Sequence, residues 1–116
     1  MKYAFNILIF LFLINYCYAT TIHVGNRQSV KTIQQAILIA KKGDSVVVHP
    51  GIYVEKNIII SKSIFFIGLN YPVLDGEHKY EIISIKADGV VVNGFKVVHS
   101  GVSSIEDFAG IKIYNS

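Results

Sequence analysis

The feature that most constrains this chain is a series of short apolar runs that occupies its sequence after Asp44. The runs are rich in Ile, Val and Phe, which favour pleated strands, and turn pairs such as Pro50-Gly51 and Asn93-Gly94 separate them. Several runs are continuous rather than alternating, as expected for buried parallel strands. They are Val46–Val48, Ile58–Ile60, Ile64–Ile67, Ile82-Ile83, Val90–Val92, Phe95–Val98 and Ile111–Ile113.

The runs recur at intervals that indicate a repeat. Ile58 precedes Ile82 by 24 residues, Ile64 precedes Val90 by 26, and Ile82 precedes Ile111 by 29. Repeats of about 20 to 50 residues are typical of solenoids, and no helical pattern lies between these strands to make βαβ crossovers. A sandwich of antiparallel hairpins is the alternative. The recurring order of strand, tight turn, strand and longer turn favours an all-β fold, a parallel β-helix of about three coils.

One amphipathic helix is predicted ahead of the strands, over Ser29–Lys42. Ser29 can cap its first turn, Lys41 and Lys42 complement the dipole in its last turn, and Gly43 ends it. We expect this helix to cover the first coil and the N-terminal edge of the sheets, which would otherwise be free to pair with another chain. Its apolar stripe consists of Val30, Ile33, Ala36, Ile37 and Ala40.

The other end of the chain, residues 110–116, has the composition of the start of a further coil and carries no capping segment. A solenoid needs a terminal unit with a polar outer face. We therefore expect residues 20–116 to be the N-terminal cap and first coils of an incomplete β-helix. It would either continue in a longer protein or pair its last coil with another molecule.

The first nineteen residues have the order of a secretory signal peptide. Lys2 precedes an apolar run of about 11 residues, and Cys17 and Ala19 place small residues three and one positions before Thr20. A membrane-spanning helix needs a longer run, of about 20 residues. These features predict that residues 1–19 are removed and that cleavage precedes Thr20.

Export predicts a periplasmic protein of 97 residues (116 minus 19) that has no cysteine and no membrane span after cleavage. Part of the 52% hydrophobic content then belongs to the removed segment. A retained membrane anchor is one alternative. A lipoprotein signal with Cys17 as lipid acceptor is another, although Asn15 and Tyr16 are not the small residues it would want. The formal charge of +3 and the single arginine argue against a nucleic-acid surface, which needs clustered basic residues.

Three neighbouring segments, with one residue between them, carry a resemblance to a known superfamily. They are Ile33–Ile37, Ala40, Gly43-Asp44 and Val46–Glu55. Together they resemble the opening of extracytoplasmic right-handed β-helix proteins of the pectin-lyase-like type. That superfamily includes carbohydrate-active enzymes such as pectinesterases as well as non-enzymatic relatives, so the resemblance implies the fold and its right-handedness more than an activity.

A further series of segments narrows the resemblance. The segments are Lys62–Ile64, Ile67–Asn70, Pro72–Gly76, Ala87–Val90, Gly94-Phe95, Ser100-Gly101, Ala109–Ile111 and Asn115-Ser116, with Ile83 and Asp107. Together they resemble one family, the NosD-type periplasmic maturation proteins of nitrous oxide reductase. The match runs through nearly all of the chain after residue 19 but covers only the N-terminal coils of such a protein. It implies a non-enzymatic accessory role, beside an ABC transporter and other assembly proteins, in building the copper–sulfide centre of the reductase, and it implies copper as a ligand.

Histidines are the candidate copper ligands after residue 19, because that part of the chain has neither cysteine nor methionine. No two of them have a short spacing. His49 and His99 each follow an apolar run and precede a turn, so stacking of coils could bring them to one edge. These two are the weak metal candidates, and the alternative is that all four histidines are ordinary surface residues. The other two are His23 and His78.

A carbohydrate-binding or carbohydrate-cleaving β-helix is the alternative function. Asp75, Glu77 and Glu81 cluster in sequence, and paired carboxyl groups can perform general acid and base catalysis. However, Asp75-Gly76 is typical of a turn in a solvated loop, and Arg27, the one arginine, lies far away in sequence. The sequence therefore predicts no catalytic residue and no cofactor-binding residue.

Overall fold

The computed structural model describes residues 18–79, 81–100 and 111–114. In this part of the chain one helix, α1 (Ile33–Ile39), follows the first strand, and the rest is short strands and turns. The strands are β1 (Thr21–Val24), β2 (Ser45–Val48), β3 (Ile52–Tyr53), β4 (Ile58–Ile60), β5 (Phe65–Gly68), β6 (Val73–Asp75), β7 (Ile83–Ile85), β8 (Val91–Asn93), β9 (Lys96–Val98) and β10 (Ile111–Ile113).

The strands form three parallel sheets, and each full coil gives one strand to each sheet. The sheet orders are β1-β2-β5-β8, β3-β6-β9 and β4-β7-β10. The register is continuous along each stack; Ser45 pairs with Phe65, for example, and Phe65 pairs with Val91. The chain is thus a parallel β-solenoid of about three turns, which confirms the fold predicted from the recurring apolar runs.

The core fills the space enclosed by the coils. Val46 of β2 pairs with Phe66 of β5, which pairs with Val92 of β8, so equivalent side chains stack from coil to coil. Phe66 is fully buried, and its ring stacks on Phe95 with centroids 4.3 Å apart. The neighbouring residue Phe65 points the other way and is 47% exposed, as the two-residue period of a strand requires.

The helix is shorter than the predicted Ser29–Lys42 at both ends. Val30 forms a parallel bridge with Val24, which holds that part of the chain extended, and Thr32 is the N-cap. At the other end Ala40 is already extended, so Lys41 and Lys42 lie beyond the last turn. The cation there is Lys62 of the next coil. Its Nζ atom donates to the carbonyl oxygens of residues 37, 38 and 40 at 3.1, 3.0 and 2.7 Å.

The helix packs against the first strands and completes one sheet edge. It contacts β1, β2 and β4. β4 is the outermost strand of its sheet, and the Gln34 side chain bonds it as a further strand would. Its Oε1 accepts from the Ile59 amide at 3.0 Å, and its Nε2 donates to the Ile59 carbonyl at 3.4 Å. The helix therefore covers the N-terminal edge, as expected.

Most of the predicted signal peptide, residues 1–17, lies outside the described residues, as do Tyr80, residues 101–110 and residues 115–116. Tyr18 and Ala19 are described and are exposed. Among the described residues, no helix has the length and apolar character needed to cross a membrane.

Truncation of Phe66 tests the stacked core. We expect Phe66→Ala to lower the free energy of unfolding by about 3–5 kcal/mol, because a fully buried ring is removed and a cavity remains. Phe65→Ala is the matched control on the opposite face of the same strand and should cost less than about 1 kcal/mol. Urea unfolding followed by circular dichroism measures both. Equal losses of stability in the two variants would contradict the burial of Phe66 and the exposure of Phe65 on opposite faces of β5.

Candidate functional site

Two histidines from successive coils meet at the N-terminal end of the solenoid. His23 lies on β1, where it pairs with Val47 of β2, and His49 follows β2 directly. The two histidines are therefore diagonal neighbours on one face. His23 Nδ1 lies 2.9 Å from His49 Nε2, and the rings are tilted by 55° with centroids 5.1 Å apart. At this distance the two nitrogens form a hydrogen bond, in which one carries the hydrogen and donates it and the other is the acceptor.

Backbone contacts fix the position of His49, the half-buried member of the pair. Its amide donates to the Val24 carbonyl at 2.8 Å, and its carbonyl accepts from the Tyr53 hydroxyl at 2.7 Å. Burial, with the nearby Glu55 carboxylate, raises the pKa of Tyr53, so this hydroxyl remains a donor. His23 is exposed. The pair thus combines a half-buried histidine whose main chain is held at both its amide and its carbonyl with an exposed histidine.

A cleft of about 420 Å³ opens beside His49. The turn that follows β1 forms its wall and contributes Arg27, the one arginine of the chain, which sequence analysis placed far in sequence from the cluster of Asp75, Glu77 and Glu81. Gly25 lies directly under the imidazole: a Cβ atom at this position would be 3.1 Å from the His49 Cβ. The cleft is lined by Gly25, Asn26, Arg27, Gln28, His49 and Pro50.

The other two histidines meet on the second and third coils. His99, which follows β9, places Nδ1 3.0 Å from Asp75 Oδ1, and its ring centroid is 4.4 Å from that of His78. Asp75 Oδ1 also accepts from the Glu77 amide at 2.9 Å. The Glu77 amide, and next the His99 side chain, lower the pKa of the Asp75 carboxyl, while burial acts in the opposite direction.

The two metal candidates His49 and His99 therefore contact different partners. His49 pairs with His23 at the end of β2, whereas His99 pairs with Asp75 and His78 at the end of β9, a strand of another sheet. Sequence analysis did not identify the His23–His49 contact. The signal was present in the strand register: once β1 pairs with β2 at an offset of 24 residues, His23 lies opposite Val47 and diagonal to His49.

The carboxylates that are close together in sequence belong to separate networks. Asp75 binds His99, whereas Glu81 is buried and accepts from the Ser84 hydroxyl at 2.5 Å and the Tyr114 hydroxyl at 2.9 Å. The fully buried Ser84 Oγ also lies 2.6 Å from Asn57 Oδ1, which links the first and second coils. The third acid of that cluster, Glu77, is exposed.

Two further carboxylates bind backbone amides around the helix. Glu55 accepts from the Ile33 amide at 2.8 Å and from the Gln34 amide at 3.1 Å, so it satisfies donors of the first helical turn. Asp44 accepts from the Lys41 amide at 2.8 Å, just beyond the last turn. Four acids of the described chain, Asp44, Glu55, Asp75 and Glu81, are thus committed to contacts within the fold.

The donor chemistry of the His23–His49 pair fits copper, the metal that the resemblance implies. Imidazole nitrogen is an established copper ligand, and here two ring nitrogens converge at the surface. Among the residues that the structure describes, no group of three or more His, Cys, Asp or Glu side chains is placed to hold a metal ion. Within the described residues, the pair therefore offers two ligands.

No family model, curated protein or solved structure matches this chain. The fold and the contacts of the histidines are therefore properties of this chain's own sequence and structure.

The lowered pKa of Asp75 predicts that the free energy of unfolding decreases as the pH falls into the acidic range. A carboxyl with a lowered folded pKa stabilises the fold above its unfolded value of about 3.9 and loses that contribution as the pH falls through the folded pKa. We expect Asp75→Asn to destabilise the protein at about pH 5.5 and to cost progressively less stability as the pH falls toward about 2. Urea unfolding at both pH values measures this, with Glu77→Gln as the exposed control. The same loss at both pH values would contradict the assignment.

Proposed function

We propose that this chain is a non-enzymatic, exported β-solenoid scaffold that assists maturation of the nitrous oxide reductase copper–sulfide centre. The resemblance to NosD-type proteins supplies the role and the expected partners, an ABC transporter and the reductase assembly proteins. Export to the periplasm rests on the signal-like residues 1–19. Copper is the metal that such a role involves.

The observation that carries a scaffold role is the commitment of the acidic side chains to the fold. Asp44 and Glu55 bind backbone amides on either side of the helix, and Glu81 binds Ser84 and Tyr114. Asp75 binds a backbone amide and His99. A general acid or base needs a carboxyl free to exchange a proton with substrate, whereas these groups join one segment of the coil to another.

The His23–His49 pair is the proposed copper-holding element. The strand pairing of β1 with β2 brings the rings together, and the Val24–His49 and Tyr53–His49 bonds hold the main chain of His49. Bound copper would supply a metal ion for delivery to the reductase. The part of this chain is to hold two imidazoles at one end of a rigid solenoid, next to the cleft beside Arg27, where a partner can reach them.

Copper titration tests the histidine pair. We expect the full chain to bind Cu(I) or Cu(II), and His23→Ala and His49→Ala each to weaken binding about tenfold or more. The double variant should bind no more weakly than either single variant, because the two rings act as one unit. His78→Ala and His99→Ala are the matched controls and should keep the wild-type affinity. No binding by the wild-type chain, or loss only in the controls, would contradict the assignment.

Deletion of the gene in its source cell tests the role. We expect the purified reductase to be present at normal level but to have lost copper and sulfide. The wild-type gene should restore both, and the His23→Ala/His49→Ala gene should restore less than the His78→Ala control. A reductase with full copper and sulfide content, together with altered growth on pectic polysaccharide, would favour the carbohydrate alternative.

A further inference from the structure

The main-chain nitrogen of Thr20 is held by a buried carboxylate. It donates to Asp44 Oδ1 at 2.9 Å, while the Lys41 amide donates to Oδ2 at 2.8 Å. The Thr20 carbonyl in turn accepts from the Ser45 amide at 3.0 Å, which starts the pairing of β1 with β2. Asp44 is only 4% exposed, so this carboxylate is surrounded by the donors that satisfy it.

These contacts keep the carboxylate charged. The Thr20 amide, followed by the Lys41 amide, lowers the pKa of Asp44 from its ordinary value, and burial opposes them. The Thr20 hydroxyl and the charge of Lys41 add to the lowering. A carboxylate attracts a positively charged donor more strongly than a neutral one, and the donor to Oδ1 is a neutral amide as long as residue 19 remains attached.

The fold begins at the residue where sequence analysis places the cut. Tyr18 and Ala19 are exposed, with Tyr18 at 79%, whereas Thr20 is the first of the described residues that is hydrogen-bonded to the first coil. Cys17 and Ala19 are the small residues that place cleavage between Ala19 and Thr20. The two observations are independent, because one concerns side-chain size before the cut and the other concerns hydrogen bonds after it.

We propose that Asp44 is the binding site for the α-amino group that proteolytic processing creates at Thr20. An endopeptidase specific for small residues adds water across the Ala19–Thr20 peptide bond. Ala19 leaves with the new carboxylate, and Thr20 keeps the amine, which takes up a proton at neutral pH. This inference rests on the export component of the proposed function.

Cleavage at this bond changes the Thr20–Asp44 contact from a hydrogen bond between a neutral amide and a carboxylate to a hydrogen bond between two charged groups. The ammonium keeps a donor toward Oδ1 and adds a positive charge, which attracts the carboxylate in addition to the hydrogen bond. Pairing raises the pKa of the amine above its unfolded value of about 8. The added stability is therefore complete below about pH 8 and is lost as the pH rises through the folded pKa. Processing thus tightens the first strand onto the first coil.

The experiment uses the full chain, exported and processed by the cell. Mass spectrometry identifies the mature N-terminus, and urea unfolding at about pH 7 and about pH 10 follows stability. One variant carries a Ser inserted between Ala19 and Thr20, which leaves the cleavage signal intact and moves the new amine one residue away from Asp44. A second variant, Asp44→Asn, removes the carboxylate. Lysines and tyrosines titrate in all three proteins, so the difference between proteins isolates the amine.

We expect the wild-type product to begin at Thr20. Between about pH 7 and about pH 10 its folding equilibrium constant should fall by a larger factor than that of the Ser-insertion product. The difference should be about tenfold for each unit by which the pKa of the amine is raised. Asp44→Asn should resemble the insertion in its pH dependence. A wild-type product that begins elsewhere, or equal pH dependence in the wild-type and Ser-insertion products, would overturn the inference while leaving the scaffold role intact. An intact Met1 would overturn both the inference and the proposed export.

Discussion

The structure depends on one constraint, which is that each coil satisfies the backbone hydrogen bonds of the next. Parallel pairing between coils continues through all three sheets, but within the described residues the first coil has only β1 on its N-terminal side. The helix α1 takes the place of the missing neighbour of β4. The Gln34 side chain bonds the Ile59 backbone as a strand would, and the helix packs against β1, β2 and β4. The helix is in turn held by Glu55 at its start and Lys62 at its end. The helix and the first coil thus stabilise each other.

The same constraint decides where polar groups meet. Stacking brings residues about one coil apart in sequence into contact, so side chains that look isolated become neighbours. The Ser84–Asn57 contact spans 27 residues, the His23–His49 contact 26, and the His99–Asp75 contact 24. Apolar neighbours made in this way form the core, and polar neighbours form hydrogen bonds between coils. The candidate metal pair is one such contact between coils.

The sequence is informative about the repeat and less so about contacts that depend on register. Strand after strand was predictable from apolar runs and turn pairs, because each needs only local residues. The helix ends were not, because Val30 is held extended by Val24 and the terminal cation comes from Lys62, both set by tertiary contacts. His49 was identified as a candidate, but its partner His23 follows only from the register of β1 against β2.

The first strand, β1, connects the His23–His49 pair with the Thr20–Asp44 contact. β1 has four residues and, within the described sheet, β2 is its one neighbouring strand, so its position depends strongly on contacts at its ends. Thr20 is bonded to Asp44 before the strand, and Val24 is bonded to the His49 amide after it. His23 lies between these anchors. Any change that strengthens the Thr20–Asp44 contact also restrains the imidazole of His23 against that of His49, because both belong to one short strand.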